Sequence, residues 1–265
     1  MLTTRRYNIT ELTPYIDWTY FLHAWSMPST GNETEELIED ARHTLRQLEA
    51  DVECVALVGI FNAHAQGNDI MIEGSEPVRI PCLRQEGANR LCLADFIKPA
   101  DDRIGVFAAT VQPRSDDNKY AEDPYLHLMV QTLYDRLAEA TACRMHEEVR
   151  KDIWGYAPDE QLSMAELLKE KNIGIRPAVG YPSLPDQSIN FLINKLINMQ
   201  TIGITLTENG AMIPPASVSG LMIANSESRY FAIGKIDNHQ LEDYATRREL
   251  PLQRMKQFLR ANIKE

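Results

Sequence analysis

The sequence has no apolar run long enough to cross a bilayer. Its longest, Cys54 to Phe61, is strand-length, whereas a spanning helix needs about 20 apolar residues. A secretory signal is also missing: MLTTRRYNITELTPYIDW carries two arginines with no apolar stretch behind them. The expected compartment is therefore cytoplasmic. Cysteine is sparse, and the four (Cys54, Cys82, Cys92 and Cys143) show no CxxC pairing. Cys54 and Cys92 sit among apolar neighbours and read as small buried hydrophobes. Reduced thiols are expected rather than a disulfide framework. The six histidines are scattered without HExxH spacing, so no metal site is expected. No glycines fall in a GxGxxG pattern, which removes the dinucleotide fingerprint. Positive charge is short too. The 27 Lys and Arg against 38 Asp and Glu leave a net charge of -11, which argues against nucleic-acid binding, since that depends on neutralising phosphates.

What the chain does have is enough apolar material for a core: 44% of 265 residues, sufficient for one large domain. Apolar stripes at helical spacing run through Glu33 to Asp51 and onward from Asp123-Pro124, where Leu126, Met129, Val130, Leu133, Leu137 and Ala140 line one face. Ser163 and Glu166 have capping-box spacing ahead of Leu167 and Leu168. Pro185-Asp186 precedes another stripe through Ile197, and two short helices divided at Pro251 are expected to close the chain. Strand candidates are 53–62, 69–73, 103–111, 202–207, 218–224 and 230–236, the last two joined as a hairpin around Asn225 to Ser228. The polar stretch 112–119 reads as a surface loop. Strands and helices do not alternate strictly, so the expected fold is α+β: a single domain over residues 1–265, with a twisted, mainly antiparallel sheet flanked by helices.

The segment GIRPAVGYPSLPD, Gly174 to Asp186, stands out. Its glycines and prolines forbid helix and hold the backbone in an irregular course. Two readings stand. One is a rigid loop with a surface arginine. The other is a ligand-presenting turn, in which Arg176 offers a fork of donors to a carboxylate or phosphate and Tyr181 a flat ring. Glu139 lies on the polar side of the long helix, one turn from Asp135, with Cys143 and His146 beyond. Such a row is commonly a solvated face. Asp17 reads as a turn aspartate and Glu170 as a solvated end of a short helix. The spacing of Cys143 and His146 reads as coincidence. Ser217 and Ser219 lack a nucleophile-elbow context, and no catalytic nucleophile or base is expected.

RPAVGYPSLPD resembles the signature of the activation domain of cobalamin-dependent methionine synthase. Other blocks match in order: Tyr-Ile-Asp-Trp at 15–18, Leu-Ala-Asp-Phe at 93–96, Asp-Arg-Leu-Ala-Glu-Ala at 135–140 and Trp-Gly-Tyr-Ala-Pro at 154–158. Leu-Thr-Glu at 206–208, Pro-Ala-Ser-Val-Ser-Gly at 215–220, Tyr-Phe-Ala at 230–232 and QLEDYA from Gln240 follow. The resemblance implies S-adenosylmethionine as cofactor. At the matching positions it implies Arg176 for the methionyl carboxylate, and Asp17, Glu139 and Glu170 for the ammonium, ribose or sulfonium side. Backbone near Ala178 and the Tyr181 ring would border the adenosine, with Tyr230 and Phe231 closing the site. Asp135 becomes a partner contact for the histidine that leaves cobalt during reactivation. The chain departs from the family at Leu184 and Gln187, where cysteine and histidine are common, and at Ile213, where tryptophan is usual. Gln187 keeps hydrogen bonding but does not titrate near neutral pH.

By the same resemblance the chemistry is reductive methylation. Cob(II)alamin takes one electron and is then methylated from S-adenosylmethionine, with the cobalamin carried by a partner module of methionine synthase and the electron supplied by a flavodoxin-like donor. The protein would orient the methyl donor rather than do the bond chemistry itself. The chain opens on methionine and has no cobalamin-binding region, so it reads as either a free-standing activation protein or an excised domain, the former favoured; a free-standing protein would dock in trans. Its basic end, with Lys256, Arg260 and Lys264 at helical spacing, is either a solvated helix face or a dock for an acidic partner. A non-catalytic scaffold for another corrinoid methyltransferase is the alternative. An independent small-molecule methyltransferase is disfavoured by the missing glycine-rich strand-to-helix turn.

Overall fold

The structure is a computed structural model and describes residues 2–87, 89–114, 120 and 122–264. In chain order the elements are β1 (Leu2–Tyr7), α1 (Ile9–Leu12), α2 (Trp18–Ala24), α3 (Asn32–Leu48), β2 (Val52–Gln66), β3 (Asp69–Ile72), β4 (Val78–Pro81) and β5 (Asp102–Pro113). Then come α4 (Pro124–Glu148), α5 (Met164–Leu167), α6 (Ile189–Ile197), β6 (Thr205–Leu206), β7 (Met212–Ile213), β8 (Ser217–Met222), α7 (Asn238–Arg247) and α8 (Leu252–Phe258).

The main sheet runs β4-β3-β2-β5-β8, with β1 also paired to β2, and every pairing is antiparallel. The long β2 organises it. Along one edge it pairs first with β1, Cys54 to Gly59, and then with β3, Ala63 to Gln66, while β5 lies along the other edge. Alternate residues of a strand face opposite sides, and here both sides are apolar. Cys54, Ala56, Val58, Phe107, Ala109 and Val111 join α3 and α4 in one core. Val55, Leu57, Val106, Ala108, Leu221 and Ile223 join α6 in a second. A smaller cluster packs α7 and α8 around Tyr244, Leu241 and Met255. The α+β reading with a mainly antiparallel, helix-flanked sheet matches this architecture.

Helix starts follow the expected chemistry. The Asp123 carboxylate accepts from the backbone N–H of Tyr125 and Leu126 at 2.9 and 3.1 Å, ahead of Pro124 at the first turn of α4. Ser163 and Glu166 form the capping box of α5. Pro251 divides α7 from α8. Among the described residues no helix is long and apolar enough to cross a membrane.

Four expectations need correction. Residues 230–236 form no strand of the sheet, so the hairpin with β8 does not exist. The stretch is anchored elsewhere, Ile233 N–H donating to Pro182 O and Ile236 bridging Ile263. Residues 202–207 contribute only the two-residue β6, because Met199–Ile202 is a tight 3-10 turn. The basic end is not one helical row. α8 stops at Phe258, Arg260 sits in a separate 3-10 turn, and Lys264 pairs with Glu86. Arg247 and Arg248 are spent inside the fold on Asp69 and Asp186. The expected loop at 112–119 begins as the end of β5, and residues 115–119 lie outside the described residues.

Candidate functional site

The Gly174–Asp186 segment is less irregular than its composition implies. It runs antiparallel beside β8, bridging Ile175 to Ile223 and Ala178 to Gly220. Backbone bonds of 2.9 to 3.0 Å link Ile175 and Ile223 in both directions, and others of the same length join Leu221 N–H to Pro177 O and Val179 N–H to Ser219 O. Two glycines permit this. Gly174 has φ +79, and a Cβ there would lie 2.4 Å from the Ile223 carbonyl oxygen. A Cβ on Gly220 would lie 2.2 Å from Pro177 O. The far end is fixed by buried Asp186, which accepts from Ser188 N–H and Tyr244 Oη at 2.9 Å each and from Arg248 Nε at 3.1 Å.

Opposite this segment stands α4. Asp135, Glu139, Cys143 and His146 form a row that passes from exposed at Asp135 to buried at His146. The row therefore dips under the Arg176 turn and is not a solvated face. Arg176 Nη2 lies 3.6 Å from Glu139 Oε2, with 14% of the arginine side chain and 28% of the glutamate side chain exposed. The guanidinium also covers the Phe107 ring at 5.4 Å. Among the described residues it donates no hydrogen bond to a protein acceptor. Tyr181 Oη donates to Glu139 Oε1, and Arg176 N–H donates to Tyr230 Oη at 2.9 Å. Both tyrosine rings remain partly open, at 49% and 40%.

The electrostatics agree with this grouping. Burial opposes the charge on Arg176, but Glu139, Tyr230, Cys143 and Tyr181 together outweigh it and raise the guanidinium's proton affinity. Desolvation raises the Glu170 carboxyl above its usual range, with Arg176 opposing and Glu139 adding. Glu170 is held toward the site by a left-handed turn, φ 54, just beyond α5. Desolvation also raises Asp135, against Arg136 and reinforced by Glu139. Burial, then Glu139, raises the Tyr181 phenol.

Of the residues singled out in the sequence, Glu139, Arg176, Tyr181 and Tyr230 are in contact. Ala178 lies on the same turn, and Glu170 and Asp135 share its electrostatic field. Asp17 stands apart as the N-cap of α2, accepting from Thr19 N–H at 2.9 Å. That helix rests against α4 where Arg136 covers the Tyr20 ring at 5.8 Å. The Phe231 ring packs edge-on against Phe96 at 6.3 Å. The departures fall outside this group: Leu184 is buried in the second core, Gln187 is on the surface, and Ile213 is half exposed. Phe107 was not singled out, His146 enters the sequence reading only through its coincidental spacing with Cys143, and Tyr156 only as part of the Trp-Gly-Tyr-Ala-Pro block. No local pattern marks a role for them, because Phe107 lies in a mostly apolar strand and the other two meet only when 154–158 folds back on α4. Two clefts, of about 470 Å³ beside Arg84 and Asp237 and about 490 Å³ beside Arg103 and Trp154, lie elsewhere and include neither Arg176 nor Glu139. Among the described residues no group of His, Cys, Asp and Glu could hold a metal ion.

The arrangement is a largely desolvated cation lacking a hydrogen-bond acceptor, faced by carboxylates and bordered by open aromatic rings. It suits a zwitterionic ligand with a flat base. Residues 8–249 match the family model described as vitamin B12 dependent methionine synthase, activation domain. A solved structure, the crystal structure of the MetH reactivation domain bound to AdoHcy, is 35% identical in sequence with a TM-score of 0.91. That match covers 100% of this chain and 91% of the other. The chain belongs to the activation-domain family of vitamin B12-dependent methionine synthase.

Proposed function

We propose that this chain binds S-adenosylmethionine between α4 and the Gly174–Asp186 turn and supports reductive methylation of cob(II)alamin on a cobalamin-dependent methionine synthase. The observation that carries the reading is Arg176, a mostly buried guanidinium whose nearest carboxylate, at 3.6 Å, is beyond hydrogen-bond reach. Its N–H groups are free for a ligand carboxylate. The donor set fits the cofactor. Arg176 takes the carboxylate, Glu139 and Glu170 take the ammonium and ribose side, and Tyr181, Tyr230 and the Ala178 backbone border the adenosine. Asp17 would approach from α2 and Phe231 through its backbone. When bound, the cofactor supplies the methyl group passed to the partner's reduced cobalamin. The chain's own part is to bind, orient and partly desolvate the donor.

Asp135, exposed at the open end of the α4 row, would meet the cobalamin-bearing module. A flavodoxin-like donor is the proposed electron source, and its acidic surface would find the exposed Lys256 and Arg260, which make no ion pair among the described residues. The test uses a cob(II)alamin-loaded methionine synthase lacking its own activation domain, together with reductant and S-adenosylmethionine. Methylcobalamin absorbance should appear only when this chain is added and should be lost with Arg176→Ala. Methylation that proceeds equally without the chain would favour the scaffold alternative.

A further inference from the structure

Beneath the Arg176 turn lies a second set of buried polar residues that the cofactor reading does not use. The α4 row continues past Glu139 and Cys143 to His146, which is 5% exposed. Immediately after it the helix widens into one turn of π-helix, Val149–Ile153, with Trp154 N–H donating to Val149 O at 2.9 Å. Such widenings concentrate at functional sites. The widened turn sends Arg150, fully buried, inward to Glu160, with Nε and Nη2 at 2.8 and 2.6 Å from Oε2. Ala157 N–H donates to Arg150 O at 2.9 Å, which folds the Trp-Gly-Tyr-Ala-Pro segment back over the helix. Tyr156 is thereby placed with its hydroxyl 3.1 Å from His146 Nε2.

That hydroxyl also sits directly under the Arg176 turn. The Cβ that Gly174 lacks would lie 3.0 Å from Tyr156 Oη. The same Cβ would lie 2.4 Å from the Ile223 carbonyl oxygen, so the phenol and that carbonyl crowd the same face of Gly174. The backbone leading to Arg176 is therefore tied by hydrogen bonds to Ile223 and packed closely against one phenol. Burial, then Arg150 and Arg176, holds His146 well below the usual imidazole range, so its ring is neutral and Nε2 can accept the phenol's proton. Burial likewise keeps the Tyr156 phenol protonated.

We propose that Tyr156, oriented by His146 and by the Arg150–Glu160 pair, is a positioning residue that sets the Gly174–Arg176 backbone and hence the reach of the Arg176 guanidinium toward the cofactor's carboxylate. The proposal rests on the reading that Arg176 holds that carboxylate. Tyr156 touches no ligand; it acts through the turn.

The test compares two probes by calorimetry, S-adenosylmethionine and its decarboxylated form, which has nothing for Arg176 to hold. Tyr156→Phe should weaken S-adenosylmethionine about tenfold, the scale of one lost buried hydrogen bond, and leave the decarboxylated probe unchanged. His146→Leu should reproduce this loss. His146→Gln, which keeps an acceptor, should restore most of it. A purely structural role would weaken both probes alike, and that result overturns the proposal, as does unchanged affinity in Tyr156→Phe. If Tyr156→Phe does not fold, the His146→Leu and His146→Gln pair supplies the same comparison. Failure of the unaltered chain to bind S-adenosylmethionine would overturn the reading of the site itself. Normal binding by the unaltered chain with no probe selectivity in the variants would overturn the positioning role alone.

Discussion

Glu139 and Tyr181 lie 42 positions apart in the chain and are joined by a hydrogen bond in which the phenol donates to one carboxylate oxygen, while the other oxygen faces Arg176. One glutamate thus spans both ends of the Arg-Pro-Ala-Val-Gly-Tyr turn and ties it to α4. Tyr181→Phe should leave the melting temperature nearly unchanged, because Tyr181 is half exposed, but weaken S-adenosylmethionine binding about fivefold through a less ordered Glu139. Calorimetry on the two proteins checks this.

Gly220 faces a backbone carbonyl, not a flexible side chain. A methyl group there would meet Pro177 O at 2.2 Å and Ala178 Cα at 2.8 Å. Gly220→Ala should therefore push the Arg176 turn off β8, costing about 1–3 kcal/mol and abolishing measurable binding. Urea unfolding and a titration on the same sample measure both effects.

The Arg150–Glu160 pair is buried on both sides, with side-chain exposures of 0% and 8%. Arg150 Nη1 and Glu160 Oε1 find no protein partner among the described residues. Such pairs contribute little net stability but are costly to break singly. Arg150→Met should destabilise by about 3–5 kcal/mol, and adding Glu160→Leu should recover much of that loss. A double-mutant cycle in urea gives the coupling directly.

His146 should make stability depend on pH. Its folded pKa is depressed by burial, then by Arg150 and Arg176, below the ordinary 6.5. Below that pH the unfolded chain binds a proton that the folded chain refuses. The stabilisation is therefore complete above pH 6.5 and is lost as pH falls from 6.5 toward the folded value, at up to about 1.4 kcal/mol per pH unit. His146→Gln should remove this slope, which denaturation midpoints between pH 7 and 5 will show.

Much of this was legible in the sequence because it is local. Asp123-Pro124 and the Ser163–Glu166 box announce helices through bonds made within a few residues. The Gly174–Asp186 segment is conspicuous by composition. What stayed hidden depends on partners distant in the chain. β1 is a polar edge strand, defined only by pairing with β2. Residues 230–236 are apolar enough to read as a strand, but their backbone groups bond to Pro182 and to the C-terminal tail. The basic end looked like a free face because the carboxylates that neutralise it, Asp69, Glu86 and Asp186, lie far away in sequence. His146 and Tyr156 each have an ordinary local explanation until the π-turn brings them together.

The most direct test of the central claim is a calorimetric titration of the unaltered chain and of Arg176→Ala with S-adenosylmethionine. The account predicts saturable one-to-one binding by the unaltered chain and a loss of about 10- to 100-fold in the variant, the scale of a charge-assisted bond. Equal affinity in the two proteins would contradict it.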